Sequence, residues 1–240
     1  MVGPAGGPDA GARPGASAYG RTVAAPGAAH PGRPGAVVVR PANEVTWDDL
    51  AAVFGDRGYP ATCWCQRQVL GDRVWYATPP EERARLLHEQ TSCDDPDAPT
   101  TSGLVAFLDG EPAGWVAVGP RPSFRRLRGS PVPWTGRAAG DAQDKDDPDV
   151  WAVACFVVRA GFRGLGLTYD LARAAVDLAR ERGAAAVEGY PILEPSGAPI
   201  TWGENSVGSV QAFRAAGLEE VARPTVRRRV LRRDLRPRGA

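Results

Sequence analysis

Apolar positions along this chain follow two different periods, and the change from one to the other marks the elements. Ala36 to Arg40 reads as a short strand, after which Thr46 can cap a helix from Trp47 to Phe54 that Gly55 closes. Pro79 and Pro80 open a second helix, Glu81 to about Gln90, with Leu86 and Leu87 on its buried side. Leu104–Leu108 and Ala113–Val118 predict two strands joined by Asp109-Gly110, a hairpin signal. Val150 to Val158 is apolar throughout, as at the centre of a sheet. The next helix places Leu167, Leu171, Ala174, Ala175 and Leu178 on one face, opposite Arg173, Asp177, Arg180 and Glu181, and stops at Gly183. Ala185 to Tyr190 predicts a strand, Ser209 to Ala216 a short helix, and Val221 with Val226–Leu231 a closing ribbon. Between these, Gly58–Tyr76 is irregular and aromatic. Residues 120–148 form a long polar connection with several prolines and an Asp-rich run, Asp141 to Asp149.

Composition narrows the setting. The chain has 240 residues, 43% of them hydrophobic, enough for one large domain or two small ones. A net charge of +1 gives no argument for a nucleic-acid or membrane partner. Lys145 is the only lysine; with so much Arg, Ala, Gly and Pro, this is the signature of GC-rich codons and points to a bacterial source. Residues 1 to 35 are Gly, Ala and Pro with almost no large apolar side chain, too little to offset the entropy of ordering, so a disordered tail is expected before a domain at 36–235. No apolar run reaches membrane-spanning length and the start lacks the charged and apolar regions of a signal sequence, so a cytoplasmic protein with reduced cysteines is expected.

The segment from Trp151 to Pro191 carries the chemistry. It orders strand, glycine-rich turn, helix, strand. The turn Arg163-Gly164-Leu165-Gly166-Leu167-Thr168 leaves backbone N–H groups at a helix start, where the helix dipole also favours an anion. Its glycines let the main chain approach a ligand, and Arg163 adds a cation. Such a unit suits a pyrophosphate. A P-loop would need a Gly-Lys-Ser/Thr ending that is missing here, and a dinucleotide fingerprint fails because its third glycine position is Tyr169.

The spacing Arg163-x-x-Gly166-x-Thr168 instead resembles the acetyl-CoA signature of the GNAT superfamily of N-acetyltransferases, with Thr168 where that pattern prefers Gly or Ala. The strand before it, the helix after it and the later Phe213-Arg-Ala-Ala-Gly217-Leu218 stand in the same order as the family's elements, over roughly Val37 to Leu235. The resemblance implies an α/β fold of GNAT type, a mixed central sheet flanked by helices. It also implies acetyl-CoA as co-substrate and direct transfer of the acetyl group to an amine. By the same resemblance Phe156, Val157 and Val158 hold the acyl-pantetheine arm, the Val157 N–H polarises the thioester carbonyl, and Arg163 to Thr168 hold the pyrophosphate. The alternative is a weak or inactive CoA-binding interaction module, because the family's usual proton-donating tyrosine is Phe213 here.

The remaining assignments stay open. Tyr190 or water is left to protonate the departing thiolate. For the base, the central strand offers no carboxylate, which leaves Glu188 first, then Asp149 and Glu204. Cys63-Trp64-Cys65 with His88 and Cys93 invites a zinc reading, but it lacks the paired Cys-x-x-Cys knuckles of common zinc sites, so no metal is expected. A buried patch shaping an acceptor pocket fits these residues better, and Cys155 reads as core. Trp64, Trp75, Trp115, Trp134, Trp151 and Trp202, if several line the mouth of the site, point to a flat or apolar small-molecule amine.

Overall fold

The computed structural model describes residues 33–138, 144–193 and 206–236. Nearly all of the expected tail, and with it Glu204 and Trp202, lie outside the described residues. The chain begins with β1 (Val37–Pro41), followed by α1 (Trp47–Phe54). Thr46 caps α1 through its hydroxyl, which accepts from the Asp49 N–H at 3.1 Å, and Gly55 ends it at φ 68°.

Where the sequence reads as irregular, three short helices follow: α2 (Gly58–Cys63), α3 (Gln66–Leu70) and α4 (Asp72–Ala77). No single apolar stripe runs through them, so periodicity does not announce them. They are gathered by α5 (Pro80–Thr91), which buries Arg83, Leu87 and Thr91. Arg83 is the unexpected member of that face. Its guanidinium donates to the carbonyls of Thr62 and, at 2.6 Å, Trp75, and lies 4.0 Å from the Trp75 ring centroid. One side chain thus satisfies carbonyls at the ends of two short helices, which no longer-range helix ladder supplies.

The sheet is completed by β2 (Gly103–Leu108), β3 (Glu111–Pro120), β4 (Val150–Val158), β5 (Ala186–Gly189), β6 (Glu219–Ala222) and β7 (Val230–Asp234), in the order β1-β2-β3-β4-β5-β7-β6. Asp109 (φ 49°) and Gly110 (φ 86°) make the expected tight turn between β2 and β3. Neighbours are antiparallel except β4 and β5, the one parallel pair. The short helix α6 (Arg125–Gly129) lies in the long connection from β3 to β4. The crossover from β4 to β5 is α7 (Leu167–Glu181), and α8 (Val210–Ala215), capped by Ser209, precedes the closing ribbon.

Two hydrophobic clusters cover the two faces. On one, α7 and α8 pack Leu171, Ala175, Leu178 and Phe213 onto Val116, Val153, Phe156 and Leu231. On the other, Leu50, Val53 and Phe54 of α1 and Leu87 of α5 pack onto Val105, Trp115, Ala152 and Val157. Apolar sheet with helices on both sides is the mixed α/β architecture expected. Arg33 extends this order ahead of β1. Its guanidinium pairs with the buried Asp170 in the first turn of α7 and donates to the Leu165 carbonyl at 3.3 Å.

Candidate functional site

β4 and β5 run side by side only from Val150–Val153 against Ala186–Gly189. Beyond Val153 nothing from β5 accompanies β4, and the sheet opens there. β4 also carries a bulge: Ala117 pairs Cys155 while Val118 pairs Val153, which leaves Ala154 extra. Ala154 and Cys155 therefore face the same side, and the later residues are re-aimed. No sequence signal marks this bulge, because every residue involved is apolar.

Alternation then decides which N–H groups reach the opening. Arg159 donates to Ala113 of β3 at 3.0 Å, and Phe156 donates the opposite way, to the Ser206 carbonyl at 2.6 Å. Val157 shares the parity of Arg159, so its N–H points into the β3 ladder. It is not positioned to polarise a thioester carbonyl, contrary to the expectation from resemblance. Val158 shares the parity of Phe156 and faces the side that β5 has left.

On one face, between the end of β4 and the start of α7, lies a cavity of about 450 Å³. It brings together Phe156, Val158, Arg163, Gly164, Gly166, Leu167 and Thr168, seven of the residues expected to hold the cofactor; Val157 and Leu165 are not in its lining. Gly164 and Gly166 have φ of 78° and 75°, values that side chains with a Cβ rarely adopt. Gly166 is the residue before α7, so the first N–H groups of a 15-residue helix face this space without intrahelical partners. Arg163 is tied to the end of β4 by its Nε, which donates to the Val158 carbonyl at 3.3 Å. The residues fit a pyrophosphate: backbone donors, a helix dipole and a cation around glycines that leave room.

On the opposite face a second cavity of about 330 Å³ is lined by Val153, Ala154, Cys155, Cys63, Cys65 and Tyr190, with Arg67, Arg126 and Arg228. Ser206 lines both cavities. Ser206 stands between the two spaces beside β4, where its carbonyl accepts from the Phe156 N–H. None of the described residues lining the second cavity is a carboxylate or an imidazole. Among the described residues no tryptophan lines either one. Trp115 is wholly buried and Trp75 holds Arg83, so these two give no support to a flat or apolar acceptor, and Trp202 lies outside the described residues.

Glu188 and Tyr190 are brought together, but in other roles than acid and base. Glu188 has no solvent exposure. Its Oε2 accepts from Arg137 at 2.7 Å, Arg121 at 3.2 Å and the Tyr190 hydroxyl at 2.8 Å, and its Oε1 accepts from Arg232 at 2.9 Å. Burial alone would raise its pKa, yet the Arg137 bond and charge, the Arg121 charge and the Tyr190 bond together hold it below the usual 4.5. A carboxylate committed to three guanidiniums is a weak proton acceptor. Tyr190 is pushed well above its ordinary value by burial and by the neighbouring Glu188 charge. Arg121 and Lys145 also lie over the Trp134 ring, at 4.7 and 5.1 Å, and Arg121 donates to the Asp144 carbonyl at 2.6 Å. Glu188 therefore anchors the long 120–148 connection. Asp149, the other candidate base in the described chain, faces Arg236 on the surface.

Phe213 is fully buried, edge-on to Phe156 with ring centroids 5.9 Å apart, and offers no proton. The cysteines do not gather with His88, which stacks on Trp47 at 4.5 Å. Cys65 and Cys155 instead lie with their sulfurs 3.0 Å apart, and Cys93 meets Thr91. Among the described residues no three His, Cys, Asp or Glu side chains are grouped to hold a metal ion, and no helix is long and apolar enough to cross a membrane.

Comparison with known proteins gives a consistent picture. The model of the acetyltransferase (GNAT) family matches residues 68–189, about half of the chain and the part that holds β2 to β5. No curated protein matches. Similar solved structures include yncA of Salmonella typhimurium with its cofactor acetyl-CoA, at 15% identity, over 85% of this chain and 96% of that one, with a TM-score of 0.48. The GNAT domain of PAT from S. lividans is 18% identical over 83% of this chain and 91% of that one, with a TM-score of 0.46. An N-acetyltransferase from Staphylococcus aureus Mu50 is 12% identical over 83% and 99%, with a TM-score of 0.44.

Proposed function

Since the chain belongs to the acetyltransferase (GNAT) family, whose co-substrate is acetyl-CoA, we propose that it transfers the acetyl group directly to the amine of a small molecule. One observation supports this reading: Ser206, whose carbonyl accepts from the Phe156 N–H beside β4, lines both the cavity at the glycine turn and a second one with polar and cationic side chains. Acetyl-CoA laid along the turn from Arg163 to Thr168 brings its thioester to the gap, and an amine in the second cavity attacks through it. Holding both reactants in line converts a bimolecular step into an effectively unimolecular one. The Val158 N–H takes the polarising role, because the strand's alternation presents it to the opening.

The amine must attack in its neutral form, and no carboxylate among the described lining residues is there to take its proton. Arg67, Arg126 and Arg228 supply the bias instead, since positive surroundings disfavour a further ammonium. The departing thiolate belongs to a thiol with a pKa near 8.5, already a fair leaving group, and the proton that the attacking nitrogen sheds passes through water to that sulfur. A dedicated general acid contributes typically ~10²–10⁴-fold, so Phe213 costs speed without closing the route.

Thr168→Glu tests the donor site. An acidic residue in the first turn of α7 favours the helix through its dipole but repels a phosphate. A like charge at about 4 Å costs roughly 1–4 kcal/mol, so acetyl-CoA affinity measured by calorimetry should fall tenfold or more while the melting temperature holds. Equal affinity for both proteins would move the cofactor elsewhere. The second reading, a CoA-binding module without turnover, is favoured by the buried Phe213; it predicts the same affinity loss but no thiol release with any amine.

A further inference from the structure

The acceptor cavity is unusual in its charge. Of its lining, Arg67 and Arg126 are both partnered by one carboxylate, Asp72, which accepts from Arg67 Nε at 2.8 Å and from Arg126 Nη1 through the same Oδ1. One negative charge thus holds two guanidiniums together and neutralises only half of them. Asp72 itself is not part of the lining. Arg228 adds a third cation. Polar groups beside them, Gln68, Ser130 and Tyr59, make a wall of donors. The volume, about 330 Å³, is at the small end for ligand sites and suits a compact molecule rather than a polymer.

Building on the transferase reading above, we propose that the acceptor is a small amine that also carries an anionic group, a carboxylate or a phosphate, gripped by Arg67 and Arg126. Planar guanidiniums match the paired oxygens of such groups, and charge-assisted bonds of this kind are the strong ones. The same grip bears on the proton. In a free amino acid the nearby carboxylate stabilises the ammonium; pairing that carboxylate with a guanidinium removes its hold and favours the neutral amine. Anchor and activation then come from the same side chains, which suits a cavity whose described lining offers no base.

The test compares matched pairs that differ only in the anion: each standard amino acid against its α-amide, and aminoethyl phosphate against ethanolamine. Binding to the protein–CoA complex is measured by calorimetry, and thiol release from acetyl-CoA is measured separately. At least one acid of a pair should bind about tenfold or more tighter than the partner that lacks the anion. The pair that discriminates identifies carboxylate or phosphate as the anion. Arg126→Gln should erase most of that preference, Arg126→Lys should keep part of it, and acetyl-CoA affinity should stay as in the wild type. Equal binding of acid and amide, no binding by any member, or a loss in Arg126→Gln that falls equally on both partners would overturn the proposal. Arg-dependent anion binding with no thiol release would support it while sinking the transferase reading; thiol release without discrimination would do the reverse.

Discussion

Glu188 is held among Arg121, Arg137, Arg232 and Tyr190 with no exposure to water. Removing its charge would leave Arg121 and Arg137 buried without compensation, a change that typically costs roughly 3–5 kcal/mol. Glu188→Gln should therefore lower stability by about that amount in urea unfolding at pH 7. The pH dependence has a definite sign. The folded pKa lies below the ordinary 4.5, so the stabilisation is complete above about pH 5 and is lost as pH falls through the folded value. The wild type should weaken steeply below pH 4.5, and the variant should show a shallower slope there. Parallel acid profiles would mean that Glu188 is not the group whose protonation loosens the fold. Burial likewise raises the thiol pKa of Cys65, and the neighbouring Cys155 raises it further. Alkylation of Cys65 near neutral pH should be slow in the folded protein and fast once it is unfolded, as mass spectrometry would read.

Among the elements, α2 and α4 are joined through the buried guanidinium of Arg83. Arg83→Met keeps the apolar stem but strands the carbonyl of Thr62 and leaves that of Trp75 only the Thr78 N–H at 3.3 Å. Each buried acceptor left unpaired costs about 1–3 kcal/mol, so a loss of roughly 2–4 kcal/mol is expected, with protease cleavage appearing first between α2 and α4. This dependence could not be read from the sequence, where Arg83 is one charged residue on an amphipathic helix. What periodicity did reveal was the strands β1 to β5, the capped helix α1, the long helix α7 and the glycine turn, since each rests on local spacing. The closing ribbon came out shifted: Val226 is exposed, and the strand begins at Val230. The bulge at Ala154, the parity that turns Val157 away from the gap and the three arginine partners of Glu188 all depend on residues far apart in the chain. Local pattern carries no trace of them. The basic lining of the second cavity was hidden for the same reason, with Arg67, Arg126 and Arg228 drawn from three separate segments.

At the scale of the whole molecule, β5 leaves β4 beyond Val153, and the chain ahead of β1 reaches back to the glycine turn before α7. Arg33 pairs with Asp170 in the first turn of α7 and with the carbonyl of Leu165 inside the turn itself. A protein shortened to begin at Ala36 should lose several-fold in acetyl-CoA affinity by calorimetry, because Asp170 would keep only Arg173, at 3.6 Å, as a counter-charge beside the proposed pyrophosphate site. Unchanged affinity would show that the turn holds its shape without Arg33. A different consequence follows from Lys145, the exposed ammonium over Trp134 and the only lysine in the sequence. An enzyme that delivers acetyl groups carries almost no side-chain targets for its own reagent. Isotopic label from acetyl-CoA that accumulates on this protein's side-chain amines therefore saturates at one per molecule, and amine-directed crosslinkers or dyes find, besides any free α-amine, one side-chain address whose position in the structure is already known.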